Sequence, residues 1–124
     1  MTAPLKDLSR LCVHTLTTRP WGIDECVRQY AARGIRGITV WRNVLENKDL
    51  SEVKKLLDDF GMEVVSLARG GFFPAADLTK RAHAIDDNLW AIEQAASIGA
   101  PLIVLVCGAD GSQPLEKSRA FFYV

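Results

Sequence analysis

Residues 101–108 read P-L-I-V-L-V-C-G, and no other stretch restricts the fold as strongly. The run from Leu102 to Cys107 is apolar throughout. It is too short to cross a bilayer and too uniform for a strand with one wet face. Such a run suits a parallel strand covered on both faces. Ahead of it, Ala82, Ile85, Leu89, Ile92 and Ala96 recur at steps of three and four, the spacing of an amphipathic helix. Gly99 follows as the natural stop. Together they make one αβ unit.

The same device occurs twice upstream, with Gly34 and Gly61 each closing a helix before an apolar strand. The spacing predicts strands over about 11–16, 37–41, 63–68 and 102–107. Helices are predicted over about 23–33, 50–60, 80–98 and 114–120. Asp24 and Glu25 occupy the first turn of the first helix, where carboxylates favour the dipole. Asp49 with Glu52 matches a capping box for the second. Alternating units joined by short αβ links imply a single α/β domain over 1–124 with parallel strands and right-handed crossovers. An open flavodoxin-like sheet is the alternative arrangement. Chemistry in either fold sits beyond the carboxyl ends of the strands. Those ends carry His14-Thr15, Trp41-Arg42, Arg69-Gly70-Gly71 and Cys107-Gly108. No βα loop carries a glycine-rich dinucleotide or P-loop pattern.

Charge narrows the function classes. Fifteen basic residues balance fifteen acidic ones, so no electrostatic footprint points to nucleic acid or a membrane surface. Cys12, Cys26 and Cys107 form no C-x-x-C pair, and their odd number reads as buried thiols in a reducing cytoplasm. The start, M-T-A-P-L-K-D, has no basic region leading into an apolar core, so no secretion signal is expected and the protein is placed in the cytoplasm.

The order V-H-T-L-T, G-I-x-G-I-T-V-W-R, G-M-E-V-V-S-L-A-R-G-G-F-F and A-I-E-Q-A-A-S-I-G-A-P-L-I-V-L-V-C-G resembles the xylose-isomerase-like TIM barrels, the sugar (phosphate) isomerases and epimerases. The likeness runs over about residues 8–120. It implies the first four βα units of an eight-unit barrel. It also implies a divalent metal (Mn, Mg, Zn or Co) in the full-length family, held on strands five to eight. This chain has none of those strands, so no metal is expected for it alone. The tail departs from the pattern where F-F-Y-V follows E-K-S-R-A, which reads as a truncation.

The resemblance and the strand ends together nominate His14, Trp41, Arg69, Gly70 and Phe72 as substrate-binding residues. Arg69 before two glycines is suited to a phosphate or carboxylate, with a salt bridge to a neighbouring loop as the competing reading. Trp41 and the Phe72-Phe73 pair suit the apolar face of a sugar, or equally the packing of a barrel mouth. Arg42 is read as an ion pair, and His83 as solvated surface. Glu46, Asp77 and Asp110 are loop carboxylates to which no acid–base work is assigned. No catalytic residue and no metal ligand is nominated.

Two function classes follow. One is a sugar (phosphate) isomerase or epimerase using metal-assisted proton transfer next to a carbonyl, of which this chain is the substrate-side half, inactive alone. The other is a non-catalytic α/β module binding a ligand or partner. In either case the open strand edges are expected to drive self-association. The partner set is a small sugar or sugar phosphate, without nucleic acid or membrane.

Overall fold

The computed structural model describes residues 2–122. Four strands, β1 (Cys12–His14), β2 (Gly37–Trp41), β3 (Glu63–Gly71) and β4 (Ile103–Val106), alternate with four helices. The helices are α1 (Ile23–Ala32), α2 (Leu50–Asp59), α3 (Leu78–Ile98) and α4 (Leu115–Ala120). Short 3-10 turns over Thr15–Thr18 and Arg42–Leu45 follow β1 and β2. All pairings are parallel and the sheet order is β1-β2-β3-β4. This is the consecutive order of a singly wound barrel. A flavodoxin-like sheet reverses direction and places its first strand inside, so that alternative is corrected. The molecule is four βα units of a (β/α)8 barrel, a half-barrel.

The three αβ junctions share one backbone solution. Gly34, Gly61 and Gly99 have φ of 73°, 62° and 76°, the left-handed region that ends a helix at little cost only for glycine. Helix starts are fixed by side chains. Asp49 accepts from the Ser51 and Glu52 amides, and Asp77 from those of Thr79 and Lys80. The Ser51 hydroxyl together with the amides holds the Asp49 carboxyl below the ordinary carboxylate range, and the Lys80 and Thr79 amides do the same for Asp77.

One core lies between the sheet and the helices. Ile38, Val40, Val64 and Leu67 of β2 and β3 meet Ile23, Cys26, Val27 and Tyr30 of α1, Val53 and Leu57 of α2, and Ala91, Ala95 and Ile98 of α3. Burial pushes the Tyr30 hydroxyl up to about 12, while it bonds to Thr18 Oγ1 at 2.6 Å. On the opposite face of the sheet, the interior of a closed barrel, Thr39 Oγ1 bonds Ser66 Oγ at 2.8 Å and Cys12 Sγ at 3.3 Å.

Three expectations are corrected. β4 is not covered on both faces: Leu102, Val104, Leu105 and Val106 are 37–54% exposed, and among the described residues no strand pairs with its outer edge. The stripe Ala82, Ile85, Leu89, Ile92 and Ala96 is exposed as well, and α3 buries Ala91, Gln94, Ala95 and Ile98 instead. Of the three free thiols only Cys26 is buried, with Cys12 intermediate and Cys107 exposed on the open edge. Phe122 packs edge-on to Phe73 at 5.6 Å, and Arg81 lies 3.9 Å over the Phe121 ring. Tyr123 and Val124 of the F-F-Y-V tail, like Met1, lie outside the described residues. Among the described residues no helix is long and apolar enough to cross a membrane.

Candidate functional site

An open cavity of about 500 Å³ lies at the carboxyl ends of β2 and β3, lined by Arg19, Trp41, Arg42, Asn43, Ala68, Arg69, Phe72 and Asp87. Its floor follows from the register, because Trp41 and Ala68 are paired neighbours on the interior face.

Arg69 owes its position to a bulge. Ala68 pairs with Val104 and Gly70 with Leu105, so Arg69 is the unpaired extra residue. A bulge of this kind re-aims a side chain at the end of a strand. The guanidinium then lies 4.4 Å over the ring of Phe72. Phe72 itself has a φ of 58°, a conformation a bulky side chain adopts only when its surroundings dictate it. Its amide bonds the Val106 carbonyl at 2.8 Å, and Gly108 leaves no room for a side chain beside it, since a Cβ there would lie 3.0 Å from the ring.

Arg42 is fully committed. Its two terminal nitrogens clamp the Asp87 carboxylate at 2.8 Å each, and its Nε donates to Gln94 Oε1 at 2.6 Å. Weaker donations reach the carbonyls of Arg69 and Asp87 at 3.4 Å. The bidentate pair ties the end of β2 to α3 and holds the Asp87 carboxyl below the ordinary carboxylate range through hydrogen bonding by Arg42. Asp87 is therefore a poor proton acceptor near neutrality.

Of the nominated residues, Trp41, Arg69 and Phe72 converge on the cavity. His14 does not line it, but its Nδ1 accepts from Trp41 Nε1 at 3.0 Å and so orients the indole. Gly70 faces the other way: a Cβ there would lie 2.6 Å from Asn88 Oδ1 of α3, so this glycine serves close packing. Asn88 in turn bonds both backbone groups of Gly71, at 2.7 and 2.8 Å. Asp110 accepts from the Ser112 hydroxyl and from the Ala76 and Ser112 amides, and these bonds, the hydroxyl's foremost, hold its carboxyl down at about 2.

Arg19, Asn43 and Asp87 were not singled out by sequence. Arg19 sits in the T-T-R-P-W-G turn, and its place in the first βα loop was the available signal. Asp87 lies mid-helix, where no local pattern distinguishes it from solvated surface. As for a metal, the residues present do not fit one. Among the described residues no group of three His, Cys, Asp or Glu side chains is placed to hold an ion, His83 is exposed on α3, and His14 is engaged with Trp41.

The sequence pattern of a family described as xylose isomerase-like TIM barrel matches residues 27–123. The chain belongs to the xylose-isomerase-like TIM barrel family. A solved structure from Sinorhizobium meliloti 1021 is 35% identical and superposes with a TM-score of 0.85, over 93% of this chain and 43% of that one. A xylose isomerase domain-containing protein from Salmonella typhimurium LT2 is similar in fold, at 16% identity and a TM-score of 0.76, over 94% of this chain and 43% of that one. A xylose isomerase-like TIM barrel/4-hydroxyphenylpyruvate dioxygenase fusion protein shares the fold at 14% identity and a TM-score of 0.72, over 83% of this chain and 17% of that one. The chain thus spans less than half the length of each of these structures. No curated protein sequence matches it.

Proposed function

We propose that the cavity at the ends of β2 and β3 is the substrate side of a sugar (phosphate) isomerase or epimerase. The observation carrying this reading is the convergence of Trp41, Arg69 and Phe72 on one open cavity of about 500 Å³ at the carboxyl end of a parallel sheet, the end where barrels of this kind bind ligands. The Trp41 indole and Phe72 ring supply apolar faces against which a sugar ring packs, and Asn43 adds a polar contact.

The reaction class of the whole protein, proton transfer next to a carbonyl, comes from family membership. The chain's own share is binding. The one carboxylate lining the cavity, Asp87, is locked to Arg42, so a proton-transferring carboxylate has to come from elsewhere and the chain alone binds without turnover. The divalent cofactor belongs to the reaction of the full-length family. The binding form is taken to include a second copy of the chain, and the free thiols suit a reducing cytoplasm.

Saturation-transfer NMR with a panel of pentoses, hexoses and their phosphates tests the assignment. Contacts to the panel that vanish in Trp41→Ala, with the fold retained by circular dichroism, are expected. A panel that makes no contact, or contacts indifferent to Trp41→Ala, overturns it.

A further inference from the structure

We infer that the cavity selects an acidic ligand, a small polyhydroxylated molecule bearing a phosphate or carboxylate, through Arg69 and Arg19. The inference rests on the reading of this cavity as the substrate site and adds the ligand's charge.

Three arginines and one aspartate line the cavity. Their partners divide them. Arg42 neutralises Asp87 and spends its donors on Asp87, Gln94 and the Arg69 carbonyl. Among the described residues, neither Arg19 nor Arg69 forms an ion pair. Two positive charges therefore remain uncompensated around one cavity, a field that raises the local concentration of anions and disfavours cations.

The stacking of Arg69 on Phe72 at 4.4 Å makes the distinction sharper. Cation–π contact engages the flat face of the guanidinium and leaves its in-plane N–H donors free. Those donors are the ones that grip a phosphate or carboxylate bidentately. Stacking also restrains a long side chain before the ligand arrives, which lowers the ordering cost of binding. A structural arginine would be expected to point its edge at protein acceptors, as Arg42 does. Arg69 instead lines the cavity from an unpaired bulge position, and among the described residues its side chain donates to no protein acceptor.

The test is a titration followed by NMR on the 124-residue chain at low ionic strength, with four probes: D-glucose, D-gluconate, D-glucose 6-phosphate and inorganic phosphate. At least one acidic sugar is expected to bind about tenfold or more tighter than glucose, and to weaken as salt is added. Arg69→Met and Arg19→Gln are each expected to weaken the acid about tenfold and leave glucose unchanged. Arg33→Gln, just past the end of α1 and outside the cavity lining, changes neither. Preference for glucose 6-phosphate and phosphate identifies a phosphate group, and preference for gluconate identifies a carboxylate. Equal binding of acid and glucose, or acid binding indifferent to both arginine variants, overturns the inference while the substrate site stands on its glucose contact. Failure of every probe to perturb the cavity residues sinks both.

Discussion

Arg42 shows how one side chain sets the chemistry of its surroundings. It lies at the end of β2, yet its partners Asp87 and Gln94 sit on α3, 45 and 52 residues away. Gln94 is buried and Asp87 is half in water, so the two contacts differ in worth. Arg42→Ala strands the Gln94 amide as well as the carboxylate, and is expected to cost about 2–3 kcal/mol in urea unfolding. Asp87→Asn keeps the shape and loses an exposed charge, at less than about 1 kcal/mol near neutrality. The pH dependence has a definite sign. A carboxyl whose folded pKa is depressed contributes stability above its unfolded value of about 3.9 and loses it as pH falls through the folded value. Stability of the native chain is therefore expected to drop more steeply between pH 5 and pH 2 than that of Asp87→Asn. Identical acid limbs would show that the pair is not formed in solution. The sequence suggested an ion pair at Arg42 but not its partner, because a contact between a strand end and a helix two elements later leaves no local spacing to read.

At the scale of elements, β3 and α3 separate what the sequence can and cannot specify. Predicted to end at Ala68, β3 continues through Arg69, Gly70 and Gly71. Glycines usually weaken a strand, but here the neighbouring backbone comes too close for anything else. A Cβ on Gly71 would lie 2.1 Å from the Val106 carbonyl oxygen, and its φ is 104°. Gly71→Ala is expected to cost roughly 3 kcal/mol or more, and to loosen Phe72 along with the β3–β4 pairing. Gly111→Ala, with open space around the new methyl and no unusual φ, is expected to stay within about 0.5 kcal/mol. Equal effects in thermal or urea unfolding would refute the close approach. The helix α3 teaches the complementary lesson. Its three-and-four periodicity correctly marks a helix, yet periodicity names no neighbour. Sheet contact is made by small residues, Ala91 and Ala95, which allow close packing, while the larger Ile85, Leu89 and Ile92 face outward. The parallel order and the glycine junctions were legible because each is a local device repeated along the chain. The site was legible only where its residues stand at strand ends, as Trp41 and Arg69 do.

For the whole molecule, the decisive feature is that its open side is apolar. Leu102, just before β4, and Leu105 of β4 join Ile92 and Ala96 of α3 along a groove of about 490 Å³. Val104 and Val106 stand exposed on the interior face of the same edge strand. Unpaired backbone together with wet β-branched side chains is the usual template for another strand. A second copy, proposed above as part of the binding form, would close this geometry. Two half-barrels related by a two-fold axis along the barrel would pair β4 of each with β1 of the other, both in parallel. Two copies also approach the length of the structures this chain matches over 43% of theirs. A closed two-fold arrangement stops at two, whereas an open head-to-tail contact would polymerise. Light scattering after size exclusion is therefore expected to give a dimer at micromolar concentration. Val104→Lys leaves a solvated lysine on the free chain but buries a charge in the completed barrel, so it should shift the equilibrium toward monomer by tenfold or more. A monomer that persists across the concentration range would overturn the two-copy barrel. So would a mass that climbs without limit, because the seam would then be sticky but not self-closing.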